Sequence, residues 1–478
     1  MRKDIEMIRG IKRKILLLGI MPVFFITGCT MIPKYTRPAA PVPVQWPSGP
    51  AYPESRLPSD IPIATDLQWR EFFTDERLQR IIAMALQNNR DLKVAALRVQ
   101  RAFALYRIQR AELLPTVDAL GSGYKERLPA DLSSTGRSIT IEEYRAELSI
   151  SSWEIDFFGL IRSLEERALE EYFATEEACR STQILLVSEV ANAYLILAMD
   201  RENLQLARST LDTQQASYNL VRRRFEVGLA PELDLRQAQT RVDAARRDIP
   251  RFIELIAQDK NALDLLVGSP VPVDLLPESL SVIAPLPDVS PGTTSEILLR
   301  RPDILRAESL LKAANADIGA ARAAFFPRIF LTTAIGTASA ELSGLFQSGS
   351  DTWNFIPQVV LPIFDPRIWS ALKVSKVDRE IVLAQYEGAI QSAFREVADA
   401  LAGKGTLADQ IAAQESLVEA ASKTYMLSNA RYEKGSDTYL SVLDAQRSLY
   451  AAQRELIAIR RANFANQVRL YAVLGGGA

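Results

Sequence analysis

Two stretches of 68 residues each, Leu160 to Val227 and Arg367 to Lys434, contain no proline, and the first contains no glycine either. Proline breaks a helix interior and glycine weakens it, so each stretch can run as one helix of about 100 Å at 1.5 Å per residue. Helices of that length exceed the globular norm and read as coiled-coil-like or barrel-forming elements.

The two runs belong to a tandem duplication. Phe225 to Gly268 aligns without a gap on Tyr432 to Gly475, with ten identities in 44 positions, among them Glu226/Glu433, Gly228/Gly435, Leu233/Leu440, Gln239/Gln446 and Gly268/Gly475. Upstream, at an offset of 212 in place of 207, Leu86, Asp91, Ala95, Ala102, Ala104, Ala111 and Pro115 match Leu298, Asp303, Ala307, Ala314, Ala316, Ala323 and Pro327. The change of offset falls between Pro115 and Phe225, where loops tolerate insertion. Each half is expected to hold a helix, two β-strands and two further long helices.

Glycine punctuates the joints between the long helices. Gly228 and Gly435 suit the left-handed position that ends a helix, Pro231 suits the first turn of the next, and Asp437 or Thr438 can cap the other. The joints are thus sharp helical hairpin tips.

The segments after Pro115 and Pro327 alternate instead. In YRAELSIS, Tyr144, Ala146, Leu148 and Ile150 face one side while Arg145, Glu147, Ser149 and Ser151 face the other, the dyad pattern of a membrane barrel strand. Ile329, Leu331, Thr333 and Ile335 form a similar stripe, and weaker ones follow Pro115 and span Asn354 to Ile363. Edge strands of a small soluble sheet would show the same alternation. Four strands are expected, two per repeat. If they lie in a membrane, one chain cannot close them, because lipid tolerates no open edge and the smallest barrels need about eight strands. Four per chain leave a dimer of eight, a trimer of twelve or a tetramer of sixteen open.

Composition excludes much chemistry. The 478 residues include no histidine, which removes His triads, His general bases and His metal sites, and only two cysteines, which removes thiolate clusters. Without histidine an exported enzyme would need a carboxylate pair or Ser/Lys chemistry, and no local constellation rises above helical surface charge. The chain is expected to be no enzyme and to use no cofactor; its near-neutral charge of -2 gives no reason to expect nucleic acid.

The N-terminus bears six basic residues, Arg2 to Lys14, then the apolar run Ile15 to Ile26, a secretory signal too short to span a bilayer comfortably. ITGC, ending at Cys29, resembles a bacterial lipobox, in which the cysteine is lipidated and becomes the first mature residue. Removing residues 1–28 takes six basic and two acidic residues and leaves a net charge of -6. Cys179 then stands alone on a helical pattern and is expected to be a buried small apolar residue. Nine prolines between Pro33 and Pro62 make an extended strap, and a second proline-rich connector runs from Gly268 to Gly292. The expected order is a signal peptide at 1–28, a strap at 29–72, a first repeat at 73–268, a linker at 269–292 and a second repeat at 293–475.

LLRRPDILRAESLLKAANADIGAARAAFFPRIFLT, Leu298 to Thr332, resembles a hallmark stretch of the TolC family of outer-membrane efflux channels, in its OprM-like (NodT-type) lipoprotein branch. The mature N-terminus CTMIPKYTRPAAPVPVQWP and the segments RRRFEVGLAPELDLRQAQ and LLVGSP are similar to the same branch, so the match covers essentially the whole mature chain. The resemblance implies a mainly α fold with membrane β: a homotrimer with a twelve-stranded outer-membrane barrel continuous with a periplasmic α-helical barrel, lipid-anchored through Cys29. It implies a passive duct for drugs or other toxic small molecules, fed by a periplasmic adaptor (membrane fusion) protein and an inner-membrane pump of the resistance-nodulation-division type. The same architecture also serves protein secretion; a soluble periplasmic scaffold would explain the long helices too, but predicts no detergent requirement and no heat-modifiable trimer.

Adaptor docking in the family uses the hairpin tips, here Val227, Gly228 and Leu229, which match its VGL-like turn, and Lys434, Gly435 and Ser436, which depart from it. The OprM-like branch also places a tyrosine, leucine, aspartate and arginine at the spacing of Tyr432, Leu440, Asp444 and Arg447, and there these positions close the periplasmic end. On the helix, Val442, Leu449 and Leu456 mark the packed face, with Leu440, Asp444 and Arg447 opposite. In an isolated helix Asp444 and Arg447 would be a solvated pair worth about 0.2–0.5 kcal/mol. Around a threefold axis the same residues would form a charged ring beside an apolar constriction. Asp444 aligns with Gln237 and Arg447 with Thr240, so the second hairpin is expected to move more on opening.

Overall fold

A computed structural model describes residues 30–52, 63–292 and 294–476. The signal peptide and Cys29 lie outside the described residues, as do residues 53–62 of the strap.

Each repeat has two strands followed by two long helices; ahead of the strands the first repeat has two helices where one was expected, and the second has one. The first contains α1 (Glu76–Asn88), α2 (Arg90–Ala111), β1 (Asp118–Leu128), β2 (Ile139–Ile155), α3 (Leu160–Glu226) and α4 (Glu232–Val267). The second contains α5 (Pro302–Ala323), β3 (Arg328–Ser339), β4 (Asp351–Val360), α6 (Pro366–Glu433) and α7 (Tyr439–Val473). The proline- and glycine-poor runs are thus single helices of 67 and 68 residues. The last strand ends at Val360, three residues before the alternating stripe does.

The strands form one antiparallel sheet in the order β1-β2-β3-β4. Its central pairing, β2 with β3, joins one repeat to the other. Register puts Ala119, Leu148, Ile335 and Trp353 in one cross-strand row. Leu148, Ile335 and Trp353 are 54%, 68% and 76% exposed, so this apolar face has no cover among the described residues. A bulge between Ile150 and Trp153 inserts a residue, with Ser152 at φ 54° and its N–H donating to Thr332 Oγ1 at 3.2 Å. The extra residue keeps Ile150 and Trp153 on the same face, opposite Thr333 and Leu331. Among the described residues, the outer edges of β1 and β4 are unpaired.

The chain divides into two compact units, and these are not the two repeats. One gathers Val99–Ala174 and Ala307–Tyr386 with the start of the strap; the other gathers Ala39–Arg98, Thr175–Arg306 and Glu387–Ala478. The first unit contains the sheet, and Phe158 stacks on Phe326 beneath it at 4.8 Å. Here the strap is tied down by Arg37, whose Nε and Nη2 donate to the buried Glu308 carboxylate at 2.9 and 2.6 Å, with Tyr35 donating at 3.1 Å. Gly319 lets Ile32 press against α5, since a Cβ there would collide with Ile32 and Ser163.

The second unit is centred on aromatic packing. Phe72 stacks on Tyr471 at 4.0 Å with Phe73 edge-on, and the Tyr471 hydroxyl donates to Leu67 O at 2.7 Å. Burying each such ring contributes about 2–3 kcal/mol. Arg301 is buried in the same unit and satisfied by Asp303, Glu396 and Val473 O. Cys179 departs from the buried position expected of it and is only half-buried.

Candidate functional site: the paired helical tips

Both long helices end in the same hydrogen-bonded turn. At the end of α3, Gly228 takes φ 77°; its N–H donates to Phe225 O at 2.9 Å and the Leu229 N–H donates to Arg224 O at 2.7 Å. At the end of α6, Gly435 takes φ 73°, with its N–H on Tyr432 O at 3.0 Å and the Ser436 N–H on Arg431 O at 2.9 Å. These are Schellman motifs, which satisfy last-turn carbonyls and need a residue free to adopt positive φ. A Cβ at either glycine would meet open space, so backbone conformation and not crowding sets the requirement.

The helices that leave the tips start differently. α4 follows Pro231 with no side-chain cap. Ahead of α7, Asp437 Oδ1 accepts from the Thr438 N–H at 2.7 Å and the Ser441 hydroxyl at 2.9 Å, while Arg431 lies 3.3 Å from Oδ2. The Thr438 amide, then the Ser441 hydroxyl, hold the Asp437 carboxyl below the usual carboxylate range.

One residue ties the tips together that sequence reasoning left out. Arg224 Nη1 donates to Tyr432 O at 3.0 Å and Nη2 to Glu433 O at 2.7 Å, and its guanidinium sits 4.6 Å from the Tyr432 ring centroid. It thereby fills the last-turn carbonyls of α6 from the end of α3 and places positive charge at a helix C-terminus. The basic triplet Arg222 to Arg224 just before Gly228 was the available signal.

Beneath this clamp Val221, Leu235, Ala238, Tyr432, Tyr439, Val442 and Leu443 form a closed apolar cluster. The Tyr432 and Tyr439 rings are 5.1 Å apart, and burial pushes the Tyr439 phenol well above its ordinary range. Both hydroxyls are buried with no partner among the described residues. Gln446 donates to Ser217 Oγ at 3.3 Å and the Tyr425 hydroxyl at 3.4 Å, continuing the packing down α7.

The predicted gate residues divide between two faces. Leu440, Asp444 and Arg447 are exposed opposite Val442, with Arg447 Nη2 at 3.3 Å from Asp444 Oδ1. Tyr432 lies on the inward face with Arg224 and Tyr439, so within one chain it is not brought against the charged pair. Leu449 and Leu456, expected on the packed face with Val442, are only half-buried. The predicted docking residues are all exposed, and they differ in chemistry. Val227 and Leu229 project at 69% and 77% exposure, next to Leu233 at 64%, whereas Lys434 and Ser436 make the second tip polar. No group of three or more potential metal ligands occurs among the described residues.

Residues 81–269 and 293–476 match the family model described as outer membrane efflux protein. The chain is 47% identical over 465 residues to the antibiotic efflux pump outer membrane protein ArpC of Pseudomonas putida, covering 97% of this chain and 96% of the relative. It has the same identity and coverage with the toluene efflux pump outer membrane protein TtgC of the same species. Among solved structures it is similar to a membrane protein from Pseudomonas aeruginosa, with a TM-score of 0.88, 42% identity, and coverage of 94% of this chain and 100% of that one.

Proposed function

The chain belongs to the outer membrane efflux protein family, and from that premise we propose that it is the passive, trimeric outer-membrane duct of a tripartite efflux system. The observation that carries this reading is the open sheet. Four strands with an uncovered apolar face and two unpaired edges cannot stand in lipid alone, and three copies would close them into a twelve-stranded barrel. α2 supports the same reading: it buries no residue of its own, yet Leu97, Leu105 and Ile108 are exposed along it and await a neighbouring copy.

In this reading the periplasmic end is closed by α7, where three copies of Leu440, Asp444 and Arg447 meet around the axis. Tyr432 acts from beneath, by fixing where the second hairpin lies. A periplasmic adaptor docks on the tips, with Val227 and Leu229 supplying apolar contacts and Lys434, Gly435 and Ser436 polar ones, and a pump of the resistance-nodulation-division type supplies the energy. Cargo is small and toxic, of the antibiotic or solvent kind named for the two relatives. Lipid on Cys29 anchors the mature chain, which needs no other cofactor.

The full chain should require detergent and run as a trimer that heat dissociates. A monomer soluble in water without detergent would overturn the duct. Cys29→Ser should abolish labelling by a radioactive fatty acid, and persistent labelling would remove the anchor.

A further inference from the structure

We propose that the groove between the strap, α5 and α6 binds the anionic headgroup of a phospholipid, an inference that rests on the outer-membrane reading above. The groove, of about 440 Å³, is bounded by Lys34 on the strap, Arg322 on α5, and Lys373, Lys376, Arg379 and Glu380 on α6. Arg379 and Glu380 neutralise one another at 2.6 Å. That leaves four cationic residues lining one space, and among the described residues no carboxylate lies within ion-pair distance of Lys34, Lys373 or Lys376. Concentrated like charge without an internal partner is unfavourable in the empty groove and favourable once an anion enters.

Position selects the anion. Lys373 and Lys376 begin two turns into α6, about 10 Å from Pro366, and Arg322 lies six residues before the start of β3. The groove therefore sits at the end of the sheet where strands hand over to helices. Between the sheet and the groove, Ile363, Phe364 and Trp369 are exposed at 86%, 88% and 69%, an apolar and aromatic belt of the kind found at a membrane surface. An amphiphile lying with its acyl chains along this belt brings its phosphate to the lysines.

The strap holds the third lysine in place. Asn315 Nδ2 donates to Pro33 O at 2.7 Å and Arg322 Nη1 to Met31 O at 3.3 Å, so Lys34 is fixed against α5 only five residues after Cys29. A chain anchored at Cys29 would hold this groove at the bilayer surface.

The test is native mass spectrometry of the detergent-solubilised full chain titrated with phosphatidylglycerol, with phosphatidylethanolamine, and with inorganic phosphate as competitor. Each lysine near an anionic lipid surface is worth about fivefold in affinity, so Lys373→Gln/Lys376→Gln should weaken phosphatidylglycerol binding about 25-fold and leave phosphatidylethanolamine unchanged. Millimolar phosphate should not displace the lipid. Equal binding of the two lipids, an unaltered affinity in the double variant, or displacement by phosphate would each overturn the site. Conductance of the same variant in planar bilayers separates the two readings: a conducting variant with wild-type lipid binding sinks the headgroup site alone, whereas a wild-type chain that never inserts sinks the membrane reading.

Discussion

Replacing Arg224 with alanine removes the link between the two hairpins. Two hydrogen bonds from a guanidinium to the Tyr432 and Glu433 carbonyls are lost, at about 1 kcal/mol each for a half-buried site, together with a stacking contact on Tyr432 worth about 0.5–1 kcal/mol. The sum, about 2–3 kcal/mol, applies to the local opening of the second tip, and at 1.4 kcal/mol per decade it raises that opening about 100-fold. Amide hydrogen exchange reads it directly, because the Gly435 and Ser436 N–H groups are bonded only while the α6 turn is intact. Their exchange should accelerate about 100-fold, with amides of α5 unaffected. Arg222→Ala is the control: its partner Glu226 lies 3.1 Å away and both are exposed, so the change should stay within about 0.5 kcal/mol. If Gly435 and Ser436 exchange no faster in Arg224→Ala than in Arg222→Ala, the clamp argument is wrong.

Asp444→Ala and Arg447→Ala should each raise single-channel conductance in planar bilayers while shifting stability by less than about 0.5 kcal/mol, since the pair is solvated within one chain; unchanged conductance in both would return them to ordinary surface charges. Arg37→Ala leaves the Glu308 carboxylate, 5% exposed, without its bidentate partner, so the strap should loosen at a cost of about 2–3 kcal/mol, seen as faster proteolysis between Pro33 and Pro43; a strap as resistant as wild type would refute it. On α4, burial and then the neighbouring charge of Asp200 push the Asp259 carboxyl up to about 6. Its folded value lies above the unfolded one, so the stabilising protonated form is fully present below about pH 4 and is lost as pH rises through 6. Asp259→Asn should therefore raise Tm at pH 7.5, with the gain vanishing near pH 4; a gain equal at both pH values would contradict the assignment.

Periodicity and backbone demand are local, and whatever rests on them was legible in the sequence alone. Uninterrupted runs without proline specified α3 and α6, alternation specified four strands, and glycines at the repeat-related positions 228 and 435 specified the two tips. The exposed face of Leu440, Asp444 and Arg447 followed from helical spacing, because residues four and seven apart must share a side.

Tertiary structure decided what depends on a partner distant in the chain. Pairing of β2 with β3 crosses the repeats, and each compact unit draws segments from both of them, which no alignment of one half on the other can reveal. Arg224 reaches carbonyls 208 and 209 residues away, and a backbone carbonyl carries no signature in the residue type that bears it. Tyr432 turned inward, away from Asp444, because its ring finds Tyr439 and the Arg224 guanidinium on that side, a choice set by packing between helices and invisible to spacing along one of them.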